Sequence, residues 1–175
     1  LINIRKTRLK LFPYEVQYEM AIEQIEGTAN YVELESLKQL NYSKFIKKLN
    51  NMKNQILNPN NLFPVRIISY DIGALFIKIL IDNGLKIDYD FNNNFYLNYY
   101  LNSCDLVQID IEESPEVQKS MEEFFIETKT IIEKSVKQEN LIIKGNYKLL
   151  GVNIYNARCL YNYIISEYFL MYKDN

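Results

Sequence analysis

The chain has 175 residues, 48% of them hydrophobic, which is enough for one domain with its own core. Its formal net charge of −2 and isoelectric point near 5.4 argue against a nucleic-acid partner, because a nucleic-acid surface needs basic side chains to neutralise phosphates. We also expect no membrane span, since no run of roughly 18 uncharged apolar residues occurs, and two cysteines are too few for a secreted disulfide framework.

The first half of the chain predicts a basic, irregular segment (1–12) and three helices. Apolar side chains at 3.6-residue spacing predict the first helix over 14–40, behind Pro13. A second helix is predicted over 43–56 with Ser43 as its N-cap, and a third over 64–82, closed by Asn83-Gly84. The apolar stripes expected to face the core are Tyr14, Tyr18, Ile25, Ala29 and Val32 in the first helix, Phe45, Ile46, Leu49 and Met52 in the second, and Val65, Ile68, Ile72, Leu75 and Ile79 in the third.

The second half predicts one long helix between two less regular regions. The Asp/Asn-rich residues 88–94 predict a loop, and residues 95–102 predict a short Tyr-rich helix. Ser114-Pro115-Glu116 then marks the start of a helix over 115–137. Serine suits the N-cap, proline the first helical position, and an acid the positive end of the helix dipole.

The last 37 or so residues change in character from helix to strand. Residues 141–143 and 147–150 predict two strands around a Gly145-Asn146 turn. Residues 160–172 are apolar at nearly every position and predict a buried strand, with a helix as the alternative. The fold class predicted is therefore mainly α (α+β), a bundle-like helical domain over 14–137 that follows a basic segment (1–13), with a small antiparallel β element over 138–175 packed on it.

The first long helix carries the stretch Ile25-Glu26-Gly27-Thr28-Ala29-Asn30-Tyr31-Val32-Glu33. Glu26 and Glu33 are seven residues apart and lie at the border of the apolar stripe, where a rigid helix can hold a carboxylate near a metal. Gly27 costs roughly 1 kcal/mol in a helix interior, so we expect another helix or a substrate backbone to approach it closely. The alternative is that both acids are solvated and that Gly27 is only a packing notch.

This Glu-Gly-x-Ala-x-Tyr-x-Glu pattern resembles the helix that supplies the third zinc ligand in the gluzincin metallopeptidases. The resemblance implies that Glu26 is a zinc ligand and that Glu33 supports the catalytic site from outside the zinc ligands. Ser69-Tyr70-Asp71-Ile72-Gly73-Ala74-Leu75-Phe76 is similar to the family's Tyr-x-x-Gly helix, which implies that Tyr70 stabilises the oxyanion. Arg66, one turn earlier, would bind a substrate carboxylate or pair with an acid. The alternative for Tyr70 is a half-buried aromatic, with Gly73-Ala74 allowing close helix packing.

The absence of histidine limits what this chain can do by itself. It excludes Ser-His and Cys-His catalysis, and the sequence lacks the His-Glu-x-x-His motif that supplies the family's other two zinc ligands. The resemblance therefore implies the C-terminal portion of a zinc-dependent enzyme that hydrolyses peptide bonds. Zinc would be bound in the intact protein and not by this chain alone. The implied partners are a peptide or protein substrate and the missing N-terminal catalytic segment.

The alternative is a non-catalytic helical module that interacts with another protein. The two hypotheses predict different positions for Glu26 and Tyr70 in the folded chain. A peptidase needs Glu26 and Tyr70 on one shared open face, whereas an interaction module would have Glu26 in bulk water or paired with a lysine, with Tyr70 elsewhere.

Overall fold

The computed structural model describes residues 2–63, 65–84, 114–137 and 142–174, with side chains from Ile4 onward. The chain divides into two compact units, residues 1–113 and residues 114–175. The described part is mainly α with a small antiparallel β element near the C-terminal end, which confirms the predicted fold class. The predicted loop over 88–94 and the predicted helix over 95–102 lie outside the described residues.

The first unit is built from helices that pack on one continuous helical rod. The rod consists of two α-helices with a π turn between them, and the backbone stays helical at both junctions. The described elements of the first unit, in chain order, are α1 (Ile2–Leu11), α2 (Pro13–Ile22), the π turn (Glu23–Gly27), α3 (Thr28–Leu40), α4 (Tyr42–Leu57), a 3-10 turn (Pro59–Asn61) and α5 (Val65–Asp82). The rod is formed by α2, the π turn and α3.

The predicted helices of the first unit are confirmed, with two corrections at their ends. The N-terminal segment is helical (α1), so the prediction of an irregular segment was wrong. The N-cap of α4 is Asn41 and not Ser43, because Asn41 Oδ1 accepts a hydrogen bond from the Lys44 backbone N–H at 3.1 Å. At the other end of the unit, Gly84 has φ +76°, the left-handed conformation predicted to close α5.

The core of the first unit lies on the face of the rod opposite to the predicted one. Tyr14 and Ile25, both in the predicted stripe, are 79% and 65% exposed. The stripe was wrong because two carboxylates, Glu19 and Glu23, occupy the buried face and are neutralised there by arginines of α1. Two apolar clusters fill this core: Val16, Met20, Phe76, Ile77 and Leu80 between α2 and α5, and Leu34, Phe45, Met52 and Ala74 among α3, α4 and α5.

The stripes predicted for α4 and α5 are correct in part. Phe45 and Met52 of α4 are buried as expected. In α5, Ile68 is buried but Ile79 is mainly exposed, and the side chains of Phe76 and Leu80 point to the core instead.

The second unit contains the helix α6 (Pro115–Lys137), as predicted, and four short strands. These are β1 (Tyr147–Val152), β2 (Arg158–Leu160), β3 (Tyr163–Ile165) and β4 (Leu170–Asp174). β1 pairs with β4 antiparallel, with Tyr147 opposite Asp174, and β2 pairs with β3 across a turn in which Tyr161 has φ +53°.

The strand pairing predicted for this region was wrong in two respects. Of the strand predicted over 141–143, residues 142 and 143 form no strand and residue 141 lies outside the described residues. β1 pairs with the distant β4 rather than across Gly145-Asn146. Residues 160–172 are neither one buried strand nor a helix, because the turn at Tyr161 breaks the segment and most of its side chains are exposed. Within the described ranges, no helix is long and apolar enough to cross a membrane.

Candidate functional site

The π turn and α5 are in direct backbone contact. A Cβ atom added to Gly27 would lie 2.7 Å from Gly73 Cα, and one added to Gly73 would lie 2.5 Å from the Glu23 carbonyl oxygen. No side chain separates the two backbones, so the close approach predicted from Gly27 is confirmed, and its partner is the helix that carries Gly73.

This contact brings Glu26 next to the first turns of α5. Arg66 Nη2 donates a hydrogen bond to Glu26 Oε1 at 3.2 Å, and Arg66 Nη1 donates to Tyr18 Oη at 3.3 Å. The Arg66 guanidinium carbon also lies 5.6 Å from the centre of the Tyr70 ring, within the range of a cation–π contact. We call Tyr18, Glu26, Arg66 and Tyr70 the Arg66 cluster.

Arg66 is the cation of the Arg66 cluster, and it forms an ion pair with the Glu26 carboxylate. Hydrogen bonding to Tyr18 is the main cause that raises the pKa of Arg66 above its ordinary value, and Tyr70 adds to the effect. The Arg66 side chain is 18% exposed and the Glu26 side chain 37%, so the cluster lies at the surface with its cation partly covered. Arg66 thus contacts both of the other sequence-predicted site residues on this face, Glu26 and Tyr70.

Glu33 makes its contact elsewhere. Its carboxylate forms an ion pair with Lys48 of α4 and is mostly exposed. The spacing of seven residues to Glu26 assumed an uninterrupted α-helix, but Glu26 belongs to the π turn, where the helix is wider than an α-helix.

The described residues do not fit a zinc ion by themselves. A catalytic zinc site takes three protein ligands with a fourth position left open. Within the described ranges there is no group of three His, Cys, Asp or Glu side chains close enough to hold a metal ion. Glu26 is one carboxylate, already paired with a cation, so the other ligands would have to come from other residues.

A second cluster of charges was not foreseen from the sequence. Arg5 of α1 forms an ion pair with Glu23 and lies 3.4 Å from Glu19 Oε2, and Arg8 donates to both Glu19 oxygens at 2.8 and 2.5 Å. We call these four residues the buried charge cluster, since all except Arg8 are buried. The sequence offered one signal for this cluster. The two acids are spaced i,i+4 on one helix face, and the two arginines lie three residues apart in the basic segment.

The buried charge cluster places Glu23 in an unusual electrostatic environment. Its side chain is 1% exposed, and burial raises its pKa to about 7 although Arg5 lowers it. Glu23 is the first residue of the π turn, and its backbone is in contact with Gly73 of α5. This titratable group therefore belongs to the same helix contact that brings Glu26 next to Arg66.

Comparison with protein-family models, with curated proteins and with solved structures gives no match to this chain. A functional assignment therefore depends on the geometry of the Arg66 cluster and on the resemblance of its motifs.

Proposed function

We propose that this chain is the C-terminal portion of a gluzincin-type zinc metallopeptidase that hydrolyses peptide bonds and is inactive as this chain alone. In the intact enzyme, Glu26 would be a zinc ligand and Tyr70 would stabilise the oxyanion, with Arg66 available to a substrate carboxylate. The observation that supports this function is that Glu26 and Tyr70 both contact Arg66, which is 40 residues from Glu26 in sequence.

The position of Tyr70 suits the role proposed for it. The ring is half-buried and lies beside a permanent cation, so its hydroxyl is held near positive charge in a partly desolvated place. A phenol in such surroundings stabilises negative charge that develops during a reaction better than one in bulk water.

The ion pair of Glu26 with Arg66 does not prevent Glu26 from binding a stronger ligand. An ion pair between partly exposed side chains contributes about 1 kcal/mol or less to stability, because water screens it and both side chains lose freedom. Zinc binding to a complete set of protein ligands releases about 10–16 kcal/mol, which exceeds this cost many times over.

The alternative function is a non-catalytic helical interaction module. It is favoured by one observation, that Glu26 and Glu33 are each paired with a basic side chain of a neighbouring helix, Arg66 and Lys48. In that case the same residues only fasten α5 and α4 to the rod, and the face of the Arg66 cluster has no chemical role.

The coding sequence on the N-terminal side of Leu1 gives the first test. We expect a His-Glu-x-x-His motif within about a hundred residues, since the family's remaining zinc ligands come from that motif. A coding sequence without the motif would overturn the proposed function.

Variants of the intact protein give the second test, with zinc content and peptide hydrolysis as separate readouts. Glu26→Gln is expected to lose zinc, whereas Tyr70→Phe should keep zinc and lower kcat by about 10²- to 10³-fold. Glu122→Gln and Tyr14→Phe, both at exposed positions, are the matched controls and should change neither readout. Full zinc content in Glu26→Gln or full activity in Tyr70→Phe would overturn the role proposed for that residue, whereas an intact protein with neither zinc nor peptide hydrolysis would favour the interaction module.

A further inference from the structure

A depression of about 180 Å³ lies between α4, the 3-10 turn and the first half of α5, and none of its lining residues belongs to the Arg66 cluster. One part of its wall is apolar and another is polar. The apolar part includes Phe63, Ile67 and Ile68, and the polar part includes Gln55, Asn61 and Asp71.

Among the described residues of this wall, Asp71 is the only charged one, and its carboxylate is poorly compensated. It is half-buried and accepts one long hydrogen bond, 3.4 Å from Asn30 Nδ2. Lys48 attracts it from α4 but forms its ion pair with Glu33, and no ion pair to Asp71 exists within the described ranges. Burial accordingly raises the pKa of Asp71, with Lys48 opposing the shift only in part.

The neighbouring amides add acceptors and no competing cation. Asn61 Nδ2 donates to the backbone oxygen of Gln55 at 3.2 Å and also to the Gln55 side-chain oxygen. The donor end of Asn61 is thereby used within the protein, which leaves its Oδ1 as the acceptor that this side chain can offer to a ligand.

The size and lining of the depression restrict the ligand. An anion would be repelled by Asp71, and a calcium ion needs six to eight oxygen ligands, which one carboxylate and the three amides of Asn51, Gln55 and Asn61 do not supply. The volume is smaller than the roughly 300–1,000 Å³ of drug-sized sites, so only a small ligand fits. A short aliphatic chain that ends in an ammonium group matches both parts of the wall.

We propose that this depression binds a primary alkylammonium group, with Asp71 as its counter-ion and Phe63, Ile67 and Ile68 around its aliphatic stem. The ammonium donates to the Asp71 carboxylate and to Asn61 Oδ1, and it replaces the water that the carboxylate lost on folding. This site is independent of the proposed peptidase function, because none of its residues belongs to the Arg66 cluster.

The test is an NMR titration of the ¹⁵N-labelled chain with n-butylammonium chloride, with n-butanol at equal ionic strength as the uncharged control. We expect saturable shifts of the Gln55 and Asn61 side-chain amides with the ammonium, and at least tenfold weaker binding of the alcohol. Asp71→Asn should lower the affinity at least tenfold, and it should fold, because it removes a half-buried charge that has no ion pair among the described residues. Asp82→Asn, at an exposed position on the same helix, is the matched control.

A second variant tests the site without altering Asp71. Ile67→Lys places an ammonium of the chain itself one helical turn from Asp71, so it should compete with the ligand and abolish the titration. Equal binding of butanol and butylammonium, or unchanged affinity in Asp71→Asn, would overturn the proposal.

The source of the ammonium group is distinguished by a second ligand. Nα-acetyl-lysine amide carries the same aliphatic ammonium on a peptide unit. Binding at least as tight as that of butylammonium identifies a lysine side chain as the ligand, whereas tenfold weaker binding identifies a free small amine.

Discussion

Substitution of Gly73 by alanine gives the sharpest test of how the first unit is assembled. The new Cβ atom would lie 2.5, 2.9 and 3.0 Å from the carbonyl oxygen, Cα and carbonyl carbon of Glu23. All three are backbone atoms of the π turn, so no side-chain rotation relieves the contact. Since a carbon and a carbonyl oxygen approach to about 3.3 Å, α5 and the π turn must separate by roughly 0.8 Å.

Two effects of opposite sign determine the size of the change. Alanine is favoured over glycine in a helix interior by about 1 kcal/mol. Overpacking in a well-packed core costs about 1–3 kcal/mol and occasionally more, and here the helix separation also loosens the apolar cluster between α2 and α5. We expect the upper end of that range, so the free energy of unfolding should fall by about 2 kcal/mol.

Urea unfolding followed by circular dichroism at 222 nm measures this change directly. Gly84→Ala is an informative comparison, because nothing lies within 4 Å of its added Cβ and only the positive φ opposes it, at a cost of about 1 kcal/mol. The double variant Gly27→Ala/Gly73→Ala should lose less free energy of unfolding than the sum of the two single variants, since one separation of α5 from the π turn relieves both clashes. A Gly73→Ala protein as stable as the parent chain would refute the backbone contact.

Three further predictions concern charged groups. Arg5→Met, measured at about pH 8, should lower the free energy of unfolding by about 3–5 kcal/mol, because it leaves buried carboxylates uncompensated. Burial raises the Glu23 pKa from 4.5 to about 7, so the folded chain keeps a proton that the unfolded chain has released. Stability should therefore fall as pH rises through this window, by at most about 3 kcal/mol, and Glu23→Gln should remove the dependence. Arg158→Ala should speed amide exchange in β2 and β3 about tenfold, because Arg158 contacts Glu127, Thr128 and the Phe124 ring of α6.

Each of these predictions has a control or a contradicting result. Lys10→Met, at an exposed position on α1, is the control for Arg5→Met and should change the free energy of unfolding by less than about 0.5 kcal/mol. Equal losses of stability in Arg5→Met and Lys10→Met would contradict the role of Arg5. A pH dependence that survives in Glu23→Gln would assign it to another group. Lys173→Ala is the control for Arg158, and unchanged exchange in β2 and β3 would show that Arg158 does not hold them on α6.

The helices were predictable because their signals are local. Proline, serine and an acid marked the start of α6, and Asn83-Gly84 marked the end of α5. The buried face of the rod was not predictable in the same way, because Glu19 and Glu23 read as solvated acids until Arg5 and Arg8 are brought to them from α1. Burial of charge depends on partners that sequence periodicity does not reveal.

The C-terminal strands and the candidate site show the same limit. Gly145-Asn146 is a local turn signal, but β1 pairs with β4, whose paired residues lie 18 to 27 positions further along the chain. In the candidate site, the close approach at Gly27 was expected and is confirmed. Arg66 was predicted to bind a substrate carboxylate or to pair with an acid, and in the structure it pairs with Glu26. The separation of Glu33 from the Arg66 cluster was not expected, because a π turn has no clear sequence signature.

The buried charge cluster also restricts how this sequence can diverge. Two arginines from α1 and two carboxylates from the rod neutralise one another out of contact with most of the solvent, so the loss of any one of them is costly unless its partner changes too. Homologous chains should therefore replace Arg5 together with Glu23, and Arg8 together with Glu19, in coordinated steps. An aligned set of such chains in which these positions vary independently would indicate a different packing of α1.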